Sequence, residues 1–374
     1  MKILFSGVPA YGHLLPLVPL ATAAHAAGHS TALLTSEGMR DALRPDLPDT
    51  PVLAAGPMPA AIFEEVARQF PGSDPARDPQ PETVASFFAG ARVDLTADEA
   101  IRRAREWEPD LIVAEATDFV GPLVASALGI PFSVLAFGPA VPPEFTEPMF
   151  AVAGERYRRR GLAPLPPHNY IDPTPPSLQQ PGWTAPANHL LFRSMPHRRI
   201  APTGHLLPPV PSGKKRVLVT LGTVFSSVEA VEEIIGSIDL GTFDVVATAG
   251  IAPGESRPDD REGVHFVGFV PLAELLPGVD LIVNSGGAGT VLASFSEALP
   301  MVVMPQGADQ FINAASAASS GAAVVVSAPA EVGPALAALS EVPSYQRAVE
   351  RVAAEMASMP TAGSVIDALV TQLS

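Results

Sequence analysis

Short apolar runs alternate with longer amphipathic stretches along most of the chain. The runs at 3–5, 31–35, 111–114 and 132–136 show no polar alternation, which predicts parallel strands buried on both faces. Helical spacing fills the intervals at 13–27, 59–70, 82–107 and 118–128, and Gly28 and Gly129 stand where helices should end. Residues 139–186 are proline-rich and predict an irregular cover with one charged helix near 154–160. Prolines and glycines crowd 201–215, which predicts a stiff, exposed linker. The alternation then restarts. Strands are expected at 216–221, 243–247, 264–267, 281–283, 302–304 and 322–327. Helices are expected near 228–237, 288–298, 310–320, 334–339, 345–358 and 362–373. The simplest architecture is α/β: two Rossmann-like doubly wound domains facing across a cleft, the first over 1–200 and the second from 216.

Composition narrows the function. With 374 residues and 47% hydrophobic content, both domains can enclose cores. The formal net charge of −16 disfavours a nucleic-acid partner. The lack of cysteine removes disulfides, thiolate metal sites and cysteine nucleophiles. The eight histidines have no metal-ligand spacing, so no metal is expected. No apolar run is long enough to span a bilayer, and the first one is too short for a secretory signal. A cytoplasmic protein with no membrane partner is therefore expected. A homodimer is compatible with the chain, although no residue pattern sets an oligomeric state.

Two glycine-rich turns between a strand and a helix carry the candidate chemistry. The first, Ser6-Gly7-Val8-Pro9-Ala10-Tyr11-Gly12-His13, presents an imidazole near a helix start, where the dipole disfavours positive charge. A neutral imidazole can take a proton from a hydroxyl. Glu115 and Asp118, just past the strand at 111–114, are two acids that can orient it, although Asp118 also suits a helix N-cap. The second turn, Asn284-Ser285-Gly286-Gly287-Ala288-Gly289-Thr290, offers backbone N–H groups to an anion. Gly222 and Thr223 form a further close-approach turn. Asp309 and Gln310 open a later helix and can exchange hydrogen bonds with sugar hydroxyls, and Phe269 can stack on a base.

With these residues in view, the chain resembles the GT-B-fold nucleotide-sugar glycosyltransferases of family one. It is most similar to the actinobacterial enzymes that decorate polyketides and other secondary metabolites. Gly12-His13-Leu14-Leu15-Pro16 matches the family's Gly-His-x-x-Pro signature. Residues 267–271 match its Val-Gly-Trp-x-Pro segment, and residues 285–310 match its donor signature. The resemblance implies an acceptor-binding first domain, a donor-binding second domain over 216–360, and a final helix at 361–374 returning to the first domain. It also implies an inverting, metal-independent transfer that needs no cofactor beyond a nucleoside diphosphate sugar as co-substrate. His13 would deprotonate an acceptor hydroxyl, assisted by Glu115 or Asp118. Gly286, Gly287, Gly289 and Thr290 would hold the diphosphate, helped by Gly222 and Thr223. Phe269 would stack on the base with Val270 at its edge, and Asp309 and Gln310 would face the sugar. Phe63, Phe87, Phe137 and Met149, with Phe70, Phe88, Phe145 and Phe150, are candidates for an apolar acceptor wall.

Three residues depart from the family pattern. Ser285 stands where relatives usually carry a phosphate-binding His, and Phe269 replaces the usual Trp. Ala293 stands where UDP-sugar members often carry a ribose-binding Glu, which tilts the donor toward a thymidine diphosphate deoxysugar. A C-glycosyltransferase acting on an aromatic aglycone is an alternative. Ser285 also leaves room for a non-catalytic glycosyltransferase-like binding or helper protein.

Overall fold

The computed structural model describes residues 1–201, 203–204, 207–222, 227–248 and 261–373. It contains two α/β units, each built on a parallel sheet. One unit comprises Met1–Thr174, Pro181–Arg193 and Pro360–Ser374, and the other Pro175–Gln180 and Ser194–Met359. The described residues of 201–215, expected as a linker, group with the second unit.

The sheet of the first unit holds β1 (Lys2–Ser6), β2 (Ser30–Thr35), β3 (Val52–Ala54), β4 (Leu111–Glu115), β5 (Phe132–Leu135), β6 (Tyr170–Asp172) and β7 (His189–Leu191). Their order is β3-β2-β1-β4-β5-β6-β7. Side chains alternate between two buried layers. Leu4, Ile112 and Ala114 pack on one side with the helices Arg92–Trp107 and Val120–Leu128. Ile3, Phe5 and Val113 pack on the other side with the helix Val18–Ala26. Val365, Ile366 and Leu369 of the last helix, Ala362–Leu373, join that second layer.

The helix expected at 13–27 is broken into Tyr11–Leu14, a 3₁₀ turn at Leu15–Leu17, and Val18–Ala26. Pro16 and Pro19 lack the N–H that a continuous ladder requires. Residues 139–186 are more regular than expected. They hold the 17-residue helix Pro143–Arg159, which accommodates Pro148, and β6. The helical stretch expected at 82–107 contains a π-helical segment at Ser86–Ala91. Such a segment changes the direction of the side chains that follow it, and here it holds Phe87 and Phe88.

The sheet of the second unit holds β8 (Lys215–Thr220), β9 (Phe243–Thr248), β10 (Val264–Val267), β11 (Leu281–Asn284), β12 (Met301–Val303) and β13 (Ala323–Val325), in the order β10-β9-β8-β11-β12-β13. Val217, Val219, Val245 and Val283 anchor one core layer with the helices Val228–Ser237 and Val332–Glu341.

Just before Val332–Glu341, one Glu331 carboxylate oxygen accepts from the Ser327 N–H at 2.7 Å and the Ala328 N–H at 3.1 Å. These bonds, with the Ser327 hydroxyl, hold the carboxyl below the ordinary Glu range. A depressed acid stabilises the fold above its unfolded-state value, and that contribution is lost as pH falls through the folded one. Glu331→Gln should therefore lower the thermal midpoint near neutral pH. The gap from the parent should close on acidification, as read by circular dichroism melts.

Candidate functional site

In each sheet the strand order reverses between two neighbours, and open α/β sheets usually bind ligands beyond the carboxyl ends of the strands at such a point. In the first unit these neighbours are β1 and β4, and in the second they are β8 and β11. The two glycine-rich turns follow β1 and β11, so both leave their sheets at a reversal point.

In the first unit, the His13 Nδ1 lies 3.3 Å from Glu115 Oε1. It is also 3.2 Å from the Thr117 hydroxyl oxygen. That hydroxyl lies 2.9 and 3.0 Å from the two Glu115 oxygens, so it can accept from Nδ1–H and donate to the carboxylate. Glu115 itself is fully buried, with the Thr117 N–H donating to it at 2.8 Å. Gly7 allows this approach, because a Cβ there would meet Leu14 Cδ2 at 2.7 Å and Glu115 Cγ at 3.3 Å. An acceptor held on Nδ1 selects the Nδ1–H tautomer and leaves the Nε2 lone pair as the base. The His13 side chain keeps 22% of its exposure, so the ring is reachable.

Asp118 does not share this place. It is buried behind the site, where its carboxylate accepts from the Ser6 hydroxyl and from the Val120 and Gly121 N–H groups. It also pairs with Arg92 at 3.7 Å. Asp118 thus caps the helix Val120–Leu128, and of the two acids Glu115 is the one in contact with His13. Burial pushes the Asp118 carboxyl up from the usual Asp range, Arg92 pulls it back, and the Glu115 charge adds to the push.

Aromatic rings surround His13. Phe88 lies 5.6 Å away between ring centroids and Phe137 5.5 Å away, the latter edge-on. Phe87 bridges Phe88 at 4.9 Å and Phe63 at 4.6 Å. Phe137 thus stands beside the imidazole, and Phe63 is exposed at the far end of the row. Phe87 and Met149 belong to the packed core at 6% and 3% exposure, which corrects their placement on an acceptor wall.

In the second unit, Gly286 adopts φ +87°, a left-handed conformation that favours glycine. Its N–H donates to Asn284 Oδ1 at 2.7 Å, and its carbonyl accepts from Asn313 Nδ2 at 2.8 Å. The helix Ala288–Ser296 starts directly after the turn with Gly287 as N-cap. The Thr290 and Val291 N–H groups donate to the Gly287 carbonyl at 3.0 Å, which leaves the Ala288 and Gly289 amides at the helix start to suit an anion. A Cβ on Gly287 or Gly289 would meet nothing within 4 Å. Thr290 lies in that first turn and is half-buried.

Asn313 also donates to Asp309 Oδ2 at 2.8 Å, so one buried amide ties the glycine turn to the acid expected to face the sugar. Gln310 is buried, and its Oε1 accepts from the Gln306 N–H at 2.8 Å, which leaves the amide nitrogen as its free-standing donor group. Ser285 is turned inward. Its hydroxyl donates to the Leu221 carbonyl at 3.2 Å, so the serine at the donor-binding position where relatives carry a His spends its proton within the unit. Gly222, at φ +76°, packs beside it. Thr223 lies outside the described residues. Phe269 is half-buried with the Arg199 guanidinium 5.5 Å over its ring, and Val270 is buried. Among the described residues, no cluster of His, Asp or Glu gathers as a metal site, and no helix is long and apolar enough to cross a membrane.

Arg92 and Asn313 were not singled out in the sequence. Both are polar residues on the buried faces of helices, a placement that periodicity does not reveal.

Comparison with known proteins points the same way for both units. Residues 80–222 match the family model described as erythromycin biosynthesis protein CIII-like, N-terminal domain, and residues 239–372 match the corresponding C-terminal domain. The chain is 30% identical to the L-demethylnoviosyl transferase of Streptomyces niveus, over 86% of this chain and 84% of that protein. It is 28% identical to the elloramycin glycosyltransferase ElmGT of Streptomyces olivaceus, over 99% and 97% of the two chains. Among solved structures it is similar to the Streptomyces sp. SF2575 glycosyltransferase SsfS6 complexed with thymidine diphosphate. That likeness has a TM-score of 0.82 and 28% identity, over 100% of this chain and 99% of that one.

Proposed function

Because the chain belongs to the erythromycin CIII-like family of actinobacterial natural-product glycosyltransferases, we propose that it moves a deoxysugar from thymidine diphosphate to a hydroxyl of a small hydrophobic acceptor. The observation that carries this reading is the His13 ring, whose Nδ1 lies beside Glu115 and Thr117; the tautomer this selects makes Nε2 the nitrogen that takes the proton. The acceptor O–H gives its proton to Nε2 while its oxygen attacks the anomeric carbon. The bond from that carbon to the diphosphate breaks in the same displacement, which inverts the centre and releases thymidine diphosphate. Glu115 balances the imidazolium that forms. No metal takes part in this scheme. The amides that open the helix Ala288–Ser296 face the charge building on the leaving diphosphate. Asp309 meets the sugar hydroxyls, Phe269 meets the base, and Phe137 and Phe88 supply apolar faces to the acceptor.

The thymidine preference is supported by the thymidine diphosphate bound to SsfS6 and by Ala293, whose methyl gives a ribose 2′-hydroxyl no acceptor. Calorimetry with thymidine and uridine diphosphates, followed by product analysis on a panel of their sugars with polyketide acceptors, tests the reading. Retention of the thymidine nucleotide at least about tenfold more tightly is expected. Preference for the uridine nucleotide would defeat the donor assignment. A product stable to hot acid would indicate a carbon linkage and defeat the hydroxyl assignment.

A further inference from the structure

Arg92 opens the helix Arg92–Trp107 and is fully buried, an unusual place for a guanidinium. It donates to the Gly7 carbonyl at 3.1 Å and to the Thr96 hydroxyl at 3.2 Å, and it lies 3.7 Å from Asp118. Gly7 begins the turn that ends at His13, and its carbonyl also accepts from the Thr35 hydroxyl at 3.1 Å. The same guanidinium therefore grips both the turn bearing the imidazole and the acid next to Glu115. Resting on the assignment of His13 as base, we propose that Arg92 is a positioning residue: it balances Asp118 so that the Glu115 carboxylate is reserved for His13.

The charge count supports this. Two buried carboxylates face one buried guanidinium, which leaves one negative charge uncompensated while the imidazole is neutral. A proton on His13 brings the cluster to neutrality. Without Arg92, two carboxylates would stand together in a low dielectric, and such pairs hold a proton in common. Glu115 would then carry only part of its charge toward the imidazole. Among the described residues, the Tyr157 hydroxyl from the helix Pro143–Arg159 also faces Asp118, and its ionisation is opposed by burial first and by Asp118 as well. On that helix Arg156 pairs separately with Asp94 at 2.9 Å.

Histidine NMR titration of the full chain tests the proposal without any substrate, with His13→Ala identifying the resonance. In Arg92→Met the His13 midpoint should fall by roughly half a unit or more. Arg92→Lys, which keeps the charge, should stay near the parent. Arg92→Met/Asp118→Asn, which removes the stranded carboxylate, should recover it. Simple loss of a nearby positive charge would raise the midpoint, so a rise or no change in Arg92→Met overturns the proposal. If Arg92→Met fails to fold, the lysine and double variants carry the comparison, and a displaced midpoint in both overturns it. Transfer measured on His13→Ala separates the two claims. Retained transfer defeats the base assignment, whereas lost transfer with an unshifted Arg92→Met midpoint defeats only the role of Arg92.

Discussion

His13→Ala is expected to lower sugar transfer by about 10²–10⁴-fold, the range spanned by general acid–base groups. Its affinity for thymidine diphosphate should stay within about threefold of the parent, because His13 and the glycine turn belong to different units. The fold should survive. The ring is partly exposed, and Glu115 keeps the Thr117 N–H and hydroxyl as partners after the imidazole is gone. Steady-state rates with the donor and acceptor found by panel screening, beside calorimetry with the bare nucleotide, give the two numbers. A variant that transfers at the parental rate would remove the imidazole from the mechanism. Glu115→Gln should show a smaller loss, since the amide can still accept from Nδ1–H but no longer balances an imidazolium.

The second large effect is expected at Gly286. An alanine Cβ there would lie 2.8 Å from the Gln310 carbonyl oxygen and 3.2 Å from Val303 Cγ1. The first of these is backbone and cannot rotate aside. The left-handed φ of +87° adds a penalty of about 1–2 kcal/mol for any L side chain. Together these should cost roughly 2–4 kcal/mol of stability. They should also move the turn by enough to weaken thymidine diphosphate binding by about 100-fold or more. Gly287 is the control. Its φ is −60° and its Cβ direction is open, so Gly287→Ala should melt like the parent. A loss of nucleotide affinity in that stable variant would measure how closely the diphosphate approaches. Unchanged affinity would put the anion elsewhere.

Ten of the thirteen parallel strands were legible because each is a continuous apolar run bounded by turn residues. Val264–Val267 and the helices Val228–Ser237 and Ala362–Leu373 fall at their expected bounds. The strands β3, β6 and β7 were not legible, since three residues carry too little pattern and two of them lie among prolines. The helix Pro143–Arg159 was hidden in part by Pro148, which reads as a break. At the site, short spacings around His13 and Gly286 were readable because backbone constraints act locally. The choice between Glu115 and Asp118 was not, because it depends on which carboxylate folds back onto amides 120 and 121. Sorting Phe137 from Phe87 and Met149 likewise needed depth of burial, which aromatic composition does not encode.

The last helix has a consequence for biosynthesis. Val365, Ile366 and Leu369 fill the layer that also holds Ile3 and Phe5, so this strand waits for a helix made after the whole second sheet before its packing is complete. On the ribosome, the first sheet therefore keeps an apolar face uncovered until the helix Ala362–Leu373 has been made. A premature stop that spares every residue of the trailing sheet should still yield a product that chaperones retain or proteases clear.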